Sequence, residues 1–258
     1  MFLAAAVTIS RSKMKDAVAP NEFKVVGSSL TSRLFYGLVV VAILSVAITF
    51  AGKWFGERMA MGGHTDDTTI HAVVIGNNLL AVPANMIRFE QARRSGNAER
   101  LDLYVHYPSM AGYTQASRDE FNHATAADSI IFLGFSEQMM SRDMSGRFAP
   151  IYSSLIARPG RNGPAGITFY EFSENSGYMG EKLAVADRQG REPFVARCLT
   201  GEAAEKSLAP CERDILVGER LTLTYRFPKR FLEEWEALDT AVENLAASML
   251  GASASPQQ

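Results

Sequence analysis

Residues 221–227 read Leu-Thr-Leu-Thr-Tyr-Arg-Phe, apolar at the odd positions and polar at the even ones. In an extended chain successive side chains point to opposite faces, so this is a strand with one dry face and one wet face. Residues 213–217 and the turn Gly218-Glu219 lie just upstream and make it the second arm of a hairpin. Earlier still, 179–186 and 193–199 read as strands separated by the turn Asp187-Arg-Gln-Gly190. Four short strands on short links predict an antiparallel meander.

Downstream of this stretch Pro228 opens a helix, as proline does at a first turn. Phe231, Trp235, Leu238, Val242, Leu245 and Met249 form a stripe along it, with Glu233, Glu234, Glu236 and Glu243 elsewhere. The stripe predicts a closing helix packed across the sheet. The alternative is a seam for a second copy, giving a homo-oligomer through the C-terminal helix.

Further strands are expected towards the N-terminus. Residues 70–75, the turn 76–78 and residues 79–82 read as a hairpin ended by Pro83. Residues 101–107, 129–135, 151–156 and 166–172 continue the series. Between them, 114–124 reads as a short helix with Thr114 as cap and Phe121 as core contact, and 158–164 as a loop. The fold class expected is α+β: a β-rich, mainly antiparallel domain closed by a C-terminal helix.

A second feature governs topology. Between Arg33 and Lys53 stand 19 residues with no ionisable group, LFYGLVVVAILSVAITFAG. As a helix they span roughly 28 Å, close to the hydrocarbon thickness of a bilayer. Phe35 and Tyr36 at one end and Trp54 and Phe55 at the other suit the two interfaces. A buried soluble helix would normally carry a polar stripe, and this one does not. The run also exceeds the core of a secretory signal and begins after 33 residues, so an uncleaved anchor is expected, with cleavage near Met59-Ala60-Met61 as the alternative. The expected divisions are a tail at 1–33, a transmembrane helix at 34–52, a linker at 53–68 and an outer domain at 69–258. The apolar start MFLAAAVTIS precedes its charges, which leaves Met1 and Met14 as candidate initiators.

The flanking charges give the span a direction. Arg11, Lys13, Lys15, Lys24 and Arg33 precede it, whereas only Lys53 and Arg58 follow before Arg88. The tail is therefore expected in the cytoplasm. It carries five of the 26 basic residues and two of the 28 acidic ones, so the rest of the chain is net −5. Cys198 and Cys211 are the two cysteines, and an even count outside the cytoplasm predicts a disulfide at the neck of the intervening polar loop. Such a bridge stabilises by roughly 3 kcal/mol in the chain-entropy model. With no Asn-x-Ser/Thr sequon, the setting expected is a bacterial inner membrane with the domain in the periplasm.

The sequence holds no catalytic motif. His64, His71, His106 and His123 form no HExxH, and there is no GxSxG, GxGxxG or P-loop. No basic block suggests nucleic acid. No cofactor is expected. Met59, Met61 and His64 offer soft ligands that suit Cu(I), with Met139, Met140 and Met144 as a second methionine group; adventitious linker and core residues explain them equally. Exposed contacts are expected at Tyr178-Met-Gly-Glu181 and in the 158–164 loop. The leading expectation is a non-catalytic binding or accessory protein of an envelope complex, with a protein partner. The alternatives are an envelope hydrolase and copper handling.

Overall fold

The computed structural model describes residues 28–61, 63–122 and 127–251. The chain divides into two units, Met1–Phe55 and Gly56–Gln258. Helix α1 (Ser28–Met61) holds the segment Ser32–Phe50, whose residues are long and apolar enough as a helix to cross a membrane and are not buried. It is the one such helix among the described residues. Residues 1–27, including Met14, lie outside them, as do His123 and residues 252–258.

The second unit begins with β1 (Ile70–Ile75) and β2 (Asn78–Pro83), the expected hairpin, and β3 (Gly96–Asn97), which pairs parallel to β1. Then come β4 (Arg100–His106), α2 (Arg118–Asn122), β5 (Ile130–Glu137), α3 (Ser153–Leu155), β6 (Arg161–Asn162) and β7 (Thr168–Glu171). The chain continues through β8 (Glu181–Ala186), β9 (Phe194–Leu199), α4 (Gly201–Lys206), β10 (Cys211–Val217), β11 (Leu221–Phe227) and α5 (Trp235–Gly251). A three-stranded sheet runs β2-β1-β3, and an eight-stranded antiparallel sheet runs β4-β5-β11-β10-β9-β8-β7-β6. The unit is thus α+β, as expected. The last strand, β11, lies between the β4–β5 hairpin and the meander β6–β10 and joins them.

The alternation in β11 does what its pattern predicts. Leu221, Leu223, Tyr225 and Phe227 are fully buried, while Thr222, Thr224 and Arg226 face the other side. Each buried Leu or Phe contributes roughly 1.5–3 kcal/mol of transfer free energy. Phe231, Trp235, Leu238, Val242 and Met249 join the same core, together with Val73, Ile75, Leu80 and Val82 of the small sheet. One core therefore serves both sheets. The stripe of α5 faces inward, so the seam considered for a second copy is occupied by the domain's own strands. The β10–β11 turn also docks on the small sheet: Asn78 donates to Glu219 O and accepts from Glu219 N, both at 2.7 Å. Gly218 permits this approach, since a Cβ there would stand 2.4 Å from Asn78 Oδ1.

Three expectations need correction. Residues 151–156 are not a strand: a π-turn over Phe148–Tyr152 runs into α3. Phe148, Tyr152 and Ile156 pack into one cluster at spacings of four, which is a helical period. The cysteine loop is not irregular but contains α4, built from helix-forming Glu, Ala and Lys without an apolar stripe. Pro228 precedes a 3-10 turn, Lys229–Glu234, and the α-helix starts at Trp235. Elsewhere Thr114 caps its short helix reciprocally with Ser117. The Cys198 and Cys211 sulfurs stand at disulfide distance, 2.07 Å, on paired positions of β9 and β10.

Register also turns a charge inward. On β10, Cys211, Arg213 and Ile215 share the buried face, and Arg213 is 2% exposed. Its Nε donates to Asp239 Oδ1 on α5 at 2.9 Å, and its Nη1 donates to Ser145 Oγ (2.8 Å) and Val195 O (3.0 Å). Tyr225 Oη donates to the same carboxylate oxygen at 2.5 Å, and Arg188 pairs with Oδ2. Burial alone would raise the Asp239 pKa, yet Arg213, the Tyr225 hydrogen bond and Arg188 together hold it below the usual carboxylate value.

His64 packs in a separate aromatic cluster. Its ring stacks on Tyr113 at 4.9 Å, and Nδ1 lies 2.9 Å from Tyr104 Oη. Tyr104, Tyr113 and Phe121 contact one another around it. Burial, and then the nearby Arg93 guanidinium, lower the His64 pKa from its ordinary 6.5.

Two outcomes are expected. Asp239→Ala leaves Arg213 buried without its partner and should destabilise the full chain by about 3–5 kcal/mol in chemical denaturation; a loss below about 1 kcal/mol would contradict the network's role. A depressed histidine pKa means that the unfolded state binds the proton more readily. Stability from His64 is therefore present above pH 6.5 and lost as pH falls through the lowered folded value. His64→Gln should flatten the pH dependence of the denaturation midpoint in that window, and an unchanged slope would show the ring to be uninvolved.

Candidate functional site

The wet face of the large sheet carries an open cleft of about 600 Å³. Its floor follows from strand register. Arg226 of β11 lies opposite Phe132 of β5 and Glu212 of β10, and Thr224 lies opposite Gly134, which in turn faces Asp102 of β4. Gly134 keeps the floor open. A Cβ there would lie 2.8 Å from Arg100 Nη2 and 3.3 Å from Asp102 Oδ1, so the Arg100 side chain crosses the strand where a side chain would stand. One wall is Lys206–Ala209, the last residue of α4 and the three that follow it. The Cys198–Cys211 pair closes the neck of this loop and so ties the wall to the floor. At the other side the Arg88 guanidinium stacks on Phe132 (5.0 Å) and Phe89 (5.1 Å).

Charge in the cleft is unbalanced in a specific way. Arg88, Arg100, Lys206 and Arg226 face Asp102 and Glu212. Both carboxylates already have partners. Asp102 accepts from Arg100 Nε at 2.9 and 3.0 Å and from Nη2 at 2.7 Å, and these hydrogen bonds raise the Arg100 pKa. Glu212 accepts from Arg197 Nη2 at 2.8 Å. Lys206 pairs with Glu202. Among the described residues no carboxylate lies within ion-pair distance of Arg88 or Arg226. Two exposed guanidiniums without a counter-charge, beside hydroxyls of Ser207 and Thr224, form an anion-accepting surface.

The residues singled out in the sequence fall elsewhere. Met59 and Met61 belong to the last turn of α1, and their side chains lie outside the described residues. His64 is held by Tyr104 and Tyr113. Met144 is buried with Tyr152, whereas Met139 is almost wholly exposed, so the second methionine group is split. The segment Tyr178–Glu181 adjoins the cleft: Arg197 stacks over Tyr178 at 5.2 Å and bridges Glu181 to Glu212. In the 158–164 loop Arg161 pairs with Glu171. Arg226 was legible as an even position of the alternating strand. Arg88 sits in an irregular segment that offers no periodic signal.

One arrangement bears on hydrolysis. His106 Nδ1 lies 3.2 Å from Ser109 Oγ, and Glu120 lies against Nε2. The Ser109 hydroxyl is 3.1 Å from His106 O, to which it donates, and accepts from Ala111 N at 3.4 Å. These contacts staple the turn that links His106 to Ala111.

No family model and no curated protein matches the sequence. Two solved structures resemble the fold. An immunity protein of the Stenotrophomonas maltophilia type IV secretion system aligns with a TM-score of 0.48 and 13% identity, over 74% of this chain and 96% of its own. The Neisseria meningitidis iron-regulated outer membrane lipoprotein FrpD aligns at 0.44 and 10%, over 73% and 98%. At such values the likeness carries no inference about activity.

Proposed function

We propose that this chain is a membrane-anchored binding module of the bacterial envelope. In this reading residues 1–33 lie in the cytoplasm, residues 34–52 span the inner membrane and the domain at 69–258 stands in the periplasm. The observation that carries it is α1. Leu34 to Phe50 expose their apolar side chains, with Leu34, Phe35, Ile43 and Phe50 each above 60% exposed. A run of that length left in water would be strongly unfavourable, and a bilayer removes it from water. The five basic residues ahead of it favour the cytoplasmic side for the tail. The cysteine pair at disulfide distance suits an oxidising compartment. The open polar cleft supports binding, a role that needs no nucleophile.

The chain is expected to sediment with membranes and resist extraction by alkaline carbonate. Protease added to spheroplasts should digest the domain while leaving the tail. Carbonate extraction, or digestion only after lysis, would overturn the reading.

The Ser109–His106–Glu120 contact favours one second reading, an envelope hydrolase. Activity against simple esters that Ser109→Ala abolishes would support it, and equal activity of the two chains would remove it. Copper handling through Met59, Met61 and His64 would use the His64 nitrogen that does not face Tyr104.

A further inference from the structure

We infer that the cleft between Arg88 and Arg226 receives an acidic segment of a protein partner. The inference deepens the binding-module reading and rests on it for the setting, while the chemistry comes from the cleft itself. Both cleft carboxylates are bound by other arginines, so an incoming acid meets two guanidiniums that it need not win from a neighbour. Glu212 sits opposite Arg226 in register yet is turned to Arg197, which leaves the Arg226 fork open along the floor.

Apolar side chains at the rim of this polar cleft favour a polypeptide over a bare anion. Arg88 lies against two ring faces, and Phe89 (47% exposed) and Leu208 (43% exposed) lie close to it and on the wall of the cleft. A phosphate or sulfate could meet the guanidiniums but would leave these side chains in water. A peptide with acidic and aliphatic residues would satisfy the charges and cover the apolar rim together. Arg stacked on aromatic rings is also the composition on which protein interfaces concentrate their binding energy. The surroundings sharpen selectivity. The chain beyond the tail is net −5, so its overall charge disfavours an acidic partner, and the two guanidiniums without a counter-charge offset this locally at the cleft.

The test uses the full chain in detergent and a fluorescent ten-residue probe alternating Glu and Leu, read by anisotropy. Binding is expected and should weaken when salt is raised from about 50 to 200 mM. The double variant Arg88→Glu/Arg226→Glu should bind about tenfold more weakly or worse. Arg118→Glu/Arg142→Glu changes net charge equally at exposed positions outside the cleft and should bind like the parent. Because Arg226→Glu also sets a like charge opposite Glu212, Arg226→Gln gives a second readout: it should unfold at the parent's denaturant midpoint and still bind the probe more weakly. Four results would overturn the inference: no binding by the parent, equal binding of the double variant, equal binding of a probe with Gln for Glu, or competition by inorganic phosphate at the probe's own concentration. Failure here with a protease-accessible domain would leave the tether reading standing. Success here with a shielded domain would remove the envelope setting and leave the cleft.

Discussion

The buried pair of Arg213 and Asp239 holds the domain together. A guanidinium taken out of water is costly, and here its desolvation is offset by hydrogen bonds that it donates to three partners. Those partners come from separate parts of the chain: Asp239 from α5, Ser145 from the segment after β5, and Val195 O from β9. Tyr225 of β11 and Arg188 of the β8–β9 connection complete the carboxylate's shell. Apolar contact alone would let α5 slide along the sheet, since burial has no direction. The charged pair has one geometry, and with it α5, β9, β10 and β11 acquire one relative placement.

That placement decides where the cleft lies. The strand that delivers Tyr225 to the network delivers Thr224 and Arg226 to the opposite face. Its neighbours repeat the pattern: Arg213 goes inward, and Glu212 goes outward to Arg197. Core and cleft are therefore two faces of the same strands. A register slip of one residue would bury Arg226 and expose Tyr225, so the packing that stabilises the domain also specifies its surface. The cysteine neck of the α4 loop adds a wall where β9 and β10 pair, Cys211 with Cys198 and Glu212 with Arg197.

Local patterns in the sequence foretold local structure. The β1–β2 and β10–β11 hairpins, the cysteine neck, the apolar helix near the N-terminus and the inward stripe of α5 all follow from spacing over a few residues. What escaped depends on distance along the chain. The pairing of β11 with β5 has no signal in either strand, because any half-buried strand could fill that slot. The turn over Phe148–Tyr152 was hidden because its buried residues recur every four positions amid β-branched and serine neighbours that suit a strand equally. Arg213 on an inward position does announce a buried partner, but nothing in the sequence points to Asp239, 26 residues on. The cleft was half legible: alternation placed Arg226 on the wet face, while the solitude of its charge depends on Glu212 having turned to Arg197.

In the proposed arrangement a tethered domain, a disulfide-linked cysteine pair and a cleft open to the outside occur together. Thiol labelling of a Thr224→Cys chain in spheroplasts, with a membrane-impermeant maleimide, tests these together. Prompt labelling at position 224 without lysis is expected, with Cys198 and Cys211 unreactive until a reductant is added and the domain unfolded. Labelling at 224 that appears only after the membrane is broken, or ready labelling of the two native cysteines without reductant, would contradict it.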